Sequence, residues 1–345
     1  MLTYAEELPI LPTKVLGSHG VPGWMWLVND AVAAGTLGSC DLAEALHDAV
    51  DVALRDMIDA GVDIVSDGEF HRSDFTSNFH ARIDGLEVIE QDRRVGYPGP
   101  DQIDAFRCVR ELTVPGGFGL VSEVEHLRTR TQHPFITPLQ GPLTQAFRID
   151  PGTTYADKGA VAWALVPFIN AELKAAVTAG ARHVQIDEPA FWAIPGGIPA
   201  MVDLFNRCVD GVLATVELHL CFGNFRGRPA TSDRSYRALA PYFSSFSADV
   251  IHLEFANRCM DEVELWAEHG GEKILCAGVI DVKGRSVEPP ELVANRVRRL
   301  LRSVRPEKLW LAPDCGFSQT ARMLAVEKLR SLVAGARIVR AELSA

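Results

Sequence analysis

No run of about 18 consecutive apolar residues occurs in this 345-residue chain, so no membrane-spanning helix is expected. The opening residues Met1-Leu2-Thr3-Tyr4-Ala5-Glu6-Glu7 have neither a basic region nor a long apolar stretch, and no secretory leader is expected. Basic runs are scarce as well. Lys and Arg number 34 against 45 Asp and Glu, a formal net charge of −11, and the tight cluster Arg296-Val297-Arg298-Arg299 reads as the solvated face of a helix. Nucleic acid is therefore not an expected partner. Cysteine is too sparse for a disulfide framework: the seven residues at 40, 108, 208, 221, 259, 276 and 315 are odd in number and widely spaced. Free or metal-bound thiols in the cytoplasm are the expectation. No Gly-x-Gly-x-x-Gly opens a helix after the first strand, which argues against a dinucleotide fold.

What is present is an ordinary globular composition, 47% apolar and 23% charged. Short β-rich runs recur at 13–17, 62–66, 135–139, 183–187, 215–220, 250–254, 274–280 and 309–313. Between them, 42–60, 156–179, 261–269 and 290–304 carry helical periodicity, and Gly61, Gly180 and Gly271 fall where helix C-caps are wanted. Eight alternating βα units predict an α/β protein, a single closed (β/α)₈ TIM barrel spanning 1–345. The region 88–130 breaks the rhythm and predicts an insertion, a hairpin reaching over the barrel mouth.

Alternate residues of a barrel strand point inward. Glu217-Leu218-His219-Leu220-Cys221 thus separates into a polar set and a leucine set, and His183, Gln185 and Asp187 share a face, as do His252 and Glu254. Polar interiors on several strands are costly unless something binds there. The unusual residues also gather at strand C-terminal ends, where barrel active sites are built: Gly17-Ser18-His19, Asp67-Gly68-Glu69, Gly141-Pro142, Asp187-Glu188-Pro189, His219-Leu220-Cys221, Glu254, Asp281 and Asp314-Cys315-Gly316. His219, Cys221, Glu254 and Cys315 make a workable zinc set of one imidazole, two thiolates and a carboxylate, the carboxylate being the most easily displaced. Asp187-Glu188-Pro189 and Asp67-Gly68-Glu69, read as caps and turns when taken alone, beside a cationic metal suit recognition of a substrate amine.

These fragments, in this order, resemble the catalytic barrel of cobalamin-independent methionine synthase and its short single-barrel relatives, among them epoxyalkane:coenzyme M transferase. The resemblance runs through Leu11-Pro12-Thr13, Gly17-Ser18, Gly61 to Glu69 with Arg72, Gly141-Pro142-Leu143-Thr144, Gln185 to Pro189, His219 to Gly223, Glu254, Gly278 to Asp281 and Ala312 to Gly316. It implies a Zn2+ held by His219, Cys221, Glu254 and Cys315. It further implies a small-molecule thiol, homocysteine in the leading reading, whose carboxylate is held at Gly17-Ser18 and whose ammonium is held by Glu69 and Asp187, with Glu188 adjoining. Methyl transfer to that thiol from a small-molecule donor gives methionine.

Two departures bear on the donor. The family places a histidine two residues after the aspartate of the seventh strand end, where this chain has Asp281-Val282-Lys283; Asp281, Lys283 and Asp314 are the catalytic candidates here. The stretch Leu143-Thr144-Gln145-Ala146-Phe147 lacks the tryptophan of the folate-using enzymes, and no N-terminal second barrel is expected. Folate and a methylated corrinoid, including one carried by a corrinoid protein, both remain open as donors. The alternatives are alkyl transfer to a small thiol such as coenzyme M, a lyase like the uroporphyrinogen decarboxylases, and a zinc-stabilised binding module without activity.

Overall fold

The barrel is closed by two segments so short that each pairs at isolated positions. In the computed structural model, which describes residues 8–72, 77–89, 105–193, 197–224, 229, 231, 233–318 and 320–345, six strands form one parallel sheet in the order β3-β5-β6-β7-β8-β9. These are β3 (Thr137–Gln140), β5 (His183–Asp187), β6 (Thr215–Leu220), β7 (Val250–Glu254), β8 (Ile274–Ile280) and β9 (Leu309–Pro313). Thr13 bridges to Leu311 of β9, Lys14 to Ile64, and Val65 to Phe135 ahead of β3, so the eight expected segments make a ring. Thr13 explains part of the brevity: its N–H donates to the Asp63 carboxylate at 2.7 Å instead of to a main-chain carbonyl of the neighbouring segment. Single-domain (β/α)₈ architecture is thus the observed fold.

The helices follow the apolar periodicity. They are α1 (Gly23–Ala33), α2 (Ser39–Ala60), α3 (Ser77–His80), α4 (Leu120–Arg130), α5 (Pro142–Phe147), α6 (Lys158–Ala179), α7 (Gly197–Cys208), α8 (Leu265–His269), α9 (Pro290–Leu300) and α10 (Arg322–Ser344). Gly61 and Gly180 end α2 and α6 in the left-handed conformation, φ 84° and 115°, as a C-cap requires. Among the described residues α6 alone has the length and composition to cross a membrane. It lies against the barrel, with Val161, Leu165, Ile169 and Leu173 buried and its Glu172 carboxylate accepting the N–H groups of Phe118 and Leu120.

Two expectations need correction. The helix predicted over 261–269 begins only at Leu265, because Cys259, Met260 and Glu262 have φ of 54°, 60° and 66°. Glu262 is held there by Ser235 Oγ at 2.6 Å, Tyr236 N at 2.8 Å and Arg258 at 2.6 Å, tertiary bonds that outweigh local propensity. The insertion begins at Asp84 rather than 88 and does not extend to 130. It is an antiparallel hairpin of β1 (Asp84–Ile89) and β2 (Ala105–Thr113), joined to the two-residue β4 (Ile149–Asp150) through Phe106 and Ile149, whereas 120–130 is the barrel helix α4. The hairpin tip, 90–104, lies outside the described residues.

Inside the ring the lower layer is charged and internally hydrogen-bonded. Lys14 Nζ donates to Glu217 at 2.5 and 2.6 Å and to Gln185 Oε1 at 2.9 Å, while His183 Nε2 sits 2.8 Å from Glu217 Oε2. All four side chains are fully buried. Burial would raise the Glu217 carboxyl, but Lys14 and His183 outweigh it and hold it well below its ordinary value. Removing one partner of such a pair leaves an uncompensated charge in the barrel. Lys14→Met is therefore expected to cost about 3–5 kcal/mol in denaturant unfolding at neutral pH, and a loss below about 1 kcal/mol would contradict this account.

Candidate metal and substrate site

Above that layer, at the C-terminal strand ends, the polar atoms are not all satisfied. His219, second from the end of β6, and Asp187, last in β5, are paired across the ladder, and His219 Nδ1 lies 2.7 Å from Asp187 Oδ1. That bond fixes the ring and turns Nε2 into the barrel mouth, where it is buried without a hydrogen bond. Cys221 follows β6 directly, and Cys315 stands two residues past β9. Their sulfurs are 3.6 Å apart, and these two sulfurs and a ring nitrogen of His219 all lie within 4.8 Å of one another.

The protonation of this trio is uneven. Burial pulls the His219 imidazole down, but Asp187 and the Cys315 sulfur overcome it and lift it to about 10. The hydrogen bond from Cys221 holds the Cys315 thiol well below its ordinary value, and the same bond, with burial, pushes Cys221 well above. The shared hydrogen bond thus favours the thiolate at Cys315 over Cys221. Two sulfurs, an orphaned imidazole nitrogen and a carboxylate behind the histidine form a donor set that fits a divalent metal with an open position.

Glu254 ends β7 and stands outside the cluster of three. Its Oε2 accepts Lys283 Nζ at 2.9 Å and Phe222 N at 3.3 Å. Oε1 makes no hydrogen bond, and the Arg234 guanidinium is 3.9 Å away. Lys283, nearly fully buried, is pushed above its ordinary value by Glu254 and Cys315 despite its burial.

The remaining expected site residues separate into those that face this space and those that hold its walls. Glu69 does the former. Its backbone is left-handed, φ 60°, and the preceding loop approaches so closely that a Cβ on Gly17 would stand 2.5 Å from Glu69 Oε1. Burial, with Asp187, Asp67 and Glu123 nearby, raises the Glu69 carboxyl to about 8 against the opposing pull of Arg72, whose Nη1 is 2.8 Å away. The Ser18 hydroxyl abuts Gly316, where a Cβ would come within 2.1 Å.

Glu188 holds a wall: it accepts Leu143 N, Thr144 N and Thr144 Oγ1 at 2.7–2.9 Å, capping α5, and burial raises it to about 7 against those bonds. Asp314 accepts the main-chain N–H groups of Phe255, Ala256 and Asn257, which fixes the turn after Glu254. Asp281 Oδ1 accepts Asn257 Nδ2 at 3.0 Å and Lys283 N at 2.8 Å, so that it shapes the loop bearing Lys283.

Several contributors are absent from the sequence-based site. Arg72 joins Glu69 to Glu123 with Nε and Nη2 bonds of 3.1 and 2.7 Å to the latter. Glu123 lies on α4, within the region read as an insertion, although the apolar spacing of Leu120, Val124 and Leu127 signals a helix. Tyr236 donates its hydroxyl to Leu220 O at 2.9 Å and accepts Glu254 N at 3.0 Å, tying β6 to β7; no motif marks it. The exposed rings of Phe147, at the end of α5, and Trp192, in the turn after β5, are 5.6 Å apart and meet edge-on.

Residues 11–338 match the family described as cobalamin-independent synthase, catalytic domain. The chain is 35% identical over 341 residues to a methionine synthase of Saccharolobus solfataricus, with 98% of this chain and 97% of that one covered. A methionine synthase of Sulfurisphaera tokodaii is 32% identical over 349 residues, covering 98% and 95%. The B12-independent methionine synthase of a Shewanella species, solved with selenomethionine, superposes with a TM-score of 0.84 at 27% identity, covering 97% of this chain and 99% of that one.

If Asp187 orients His219 toward a metal, its loss acts through the ligand rather than through the fold alone. Asp187→Ala is expected to lower affinity for a divalent ion about 10–100-fold in competition with a chromophoric chelator. Unchanged affinity in a folded variant would remove Asp187 from that role.

Proposed function

The chain belongs to the cobalamin-independent synthase catalytic-domain family, and on that premise we propose that it is a methyltransferase that converts homocysteine to methionine on a zinc ion held by His219, Cys221 and Cys315. The observation that carries the reading is the buried, unpaired His219 Nε2, directed by Asp187 toward two sulfurs 3.6 Å apart. Two sulfurs and an imidazole suit zinc better than a hard cation. When bound, zinc would lower the pKa of a substrate thiol so that it reacts as thiolate at neutral pH.

The side chains supply the rest. Glu69 and Asp187 would take the homocysteine ammonium between them, and the Ser18 hydroxyl would meet its carboxylate. Glu254 would serve as the displaceable fourth ligand, and Lys283, 2.9 Å from its Oε2, would hold its charge when it is not on the metal. The sulfur then forms its bond to carbon as the methyl group leaves the donor with the bonding pair staying on the donor. All seven cysteines are free, and the closeness of Cys221 and Cys315 suits a reducing compartment, the cytoplasm.

The donor can be narrowed. A folate leaving group needs a proton, yet Lys283 is engaged by Glu254 and Asp281 accepts two hydrogen bonds as a loop anchor. A methylated corrinoid departs without protonation, so it does not depend on the general acid that neither residue is placed to provide. These features favour the corrinoid, free or on a carrier protein.

Incubating metal-assayed protein and homocysteine with methylcobalamin or 5-methyltetrahydrofolate, and weighing the thioether by mass spectrometry, tests both halves. Methionine from methylcobalamin is expected, with activity abolished in Cys315→Ala. Faster turnover with folate would overturn the donor; full activity in Cys315→Ala, or no methionine from either donor, would overturn the reaction.

Glu69 gives a separate test. With its carboxyl raised to about 8 it is largely protonated at pH 7, while ammonium recognition requires the carboxylate. Binding of methionine, which has no thiol to ionise, should therefore release close to one proton at pH 7 and progressively fewer above pH 8. Calorimetry in two buffers of different ionisation enthalpy reads this release, which should vanish in Glu69→Gln. Equal heats in both buffers for the unaltered protein would exclude the assignment.

A further inference from the structure

A second set of donor atoms lies apart from this site and takes no part in the reaction. His47 on α2, His71 in the loop beyond Glu69, and His126 on α4 come from three separate elements. The rings of His47 and His126 stack at 4.4 Å and 21°, and His71 meets them at 5.6 and 5.2 Å. One ring nitrogen from each lies within 4.8 Å of the other two. The helices are held side by side by Arg130 and Asp51 at 3.2 Å.

Ring stacking alone would leave the nitrogens to find hydrogen bonds elsewhere. His71 Nδ1 and His126 Nε2 are buried and find none among the described residues. Burial, together with His47, Arg130 and His71, holds His126 below its ordinary value against the pull of Asp51. Neutral imidazole is the metal-binding form.

We propose that His47, His71 and His126 form a second metal site, for one divalent first-row ion of the imidazole-preferring group that includes zinc, cobalt, nickel and copper. Three nitrogens with no sulfur or carboxylate among them distinguish it chemically from the cysteine site. Tetrahedral ligands at ~2.0–2.1 Å from zinc stand about 3.3 Å apart, so modest side-chain rotation from the present spacing completes the set. Because His47 is exposed, water can fill the remaining position. The site also reaches toward the substrate pocket. His71 adjoins Arg72, and His126 lies one turn beyond Glu123, which Arg72 grips with two hydrogen bonds. An ion there would fasten the loop bearing Glu69 to α4. This inference stands independently of the reaction proposed above.

Cobalt distinguishes the two sites, since thiolate ligands give it an intense near-ultraviolet charge-transfer band and imidazoles do not. Chelator-stripped, full-length protein titrated with Co2+ is expected to bind about two equivalents. Cys221→Ser/Cys315→Ser should retain one without the charge-transfer band, and His47→Gln/His126→Gln should retain one with it. His47→Gln alone, an exposed substitution that spares the fold, should weaken the second equivalent about tenfold or more. Saturation of the unaltered protein at the cysteines alone, or a second equivalent indifferent to His47→Gln and His126→Gln, would overturn the proposal.

Discussion

The hydrogen bond between Asp187 and His219 determines what the mouth of this barrel can do. An imidazole has two nitrogens, and whichever one is held by the protein leaves the other for a ligand. By occupying Nδ1 at 2.7 Å, Asp187 commits Nε2 to the space shared with Cys221 and Cys315. The sheet makes that commitment rigid, because Asp187 and His219 are register partners on adjacent parallel strands and cannot part without breaking the ladder. Gln185, one layer below, donates to the same carboxylate at 2.7 Å and so joins the site to the charged floor of the barrel.

That floor matters for a second reason. Lys14, Glu217, Gln185 and His183 are joined to one another, and farther along the strands His219 Nε2 and Glu254 Oε1 are buried without a hydrogen bond. A buried polar atom without a partner is unfavourable, and two of them at the C-terminal strand ends are what a ligand there would satisfy. Hydrogen bonding also separates the strand-end residues from one another. Glu188, Asp314 and Asp281 stand at strand ends like the others, but their oxygens are taken by main-chain and side-chain donors of the walls.

Much of this was legible in the chain because barrel strands impose a simple rule. Inward positions alternate, polar residues there are costly, and so Glu217, His219 and Cys221 stand out against Leu218 and Leu220. The eight strand segments were readable for the same reason, although Thr13 and Val65 contribute isolated bridges where longer strands were expected. What escaped depended on contacts between distant segments. Glu262 is drawn into a left-handed turn by Ser235, Tyr236 and Arg258, which no local pattern announces, and the helix behind it starts late. Glu123 was obscured by assigning its helix to an insertion, so the Arg72 network that positions Glu69 was incomplete. The bond from Lys283 to Glu254 joins one strand end to the next loop and has no sequence signature.

That last bond also bears on how charge is managed. Two thiolates offset a divalent ion, so a bound carboxylate would leave the centre with an extra negative charge, and an entering substrate thiolate would add another. Such an accumulation would oppose substrate entry unless the carboxylate left. Here Glu254 lies outside the trio of donor atoms, with Lys283 at 2.9 Å from its Oε2 and both side chains buried. A lysine in that position stabilises the carboxylate in its released state, where water cannot. Lys283, where the family has a histidine, thus bears on more than proton donation: it sets a fixed positive charge against the Glu254 carboxylate at the strand end.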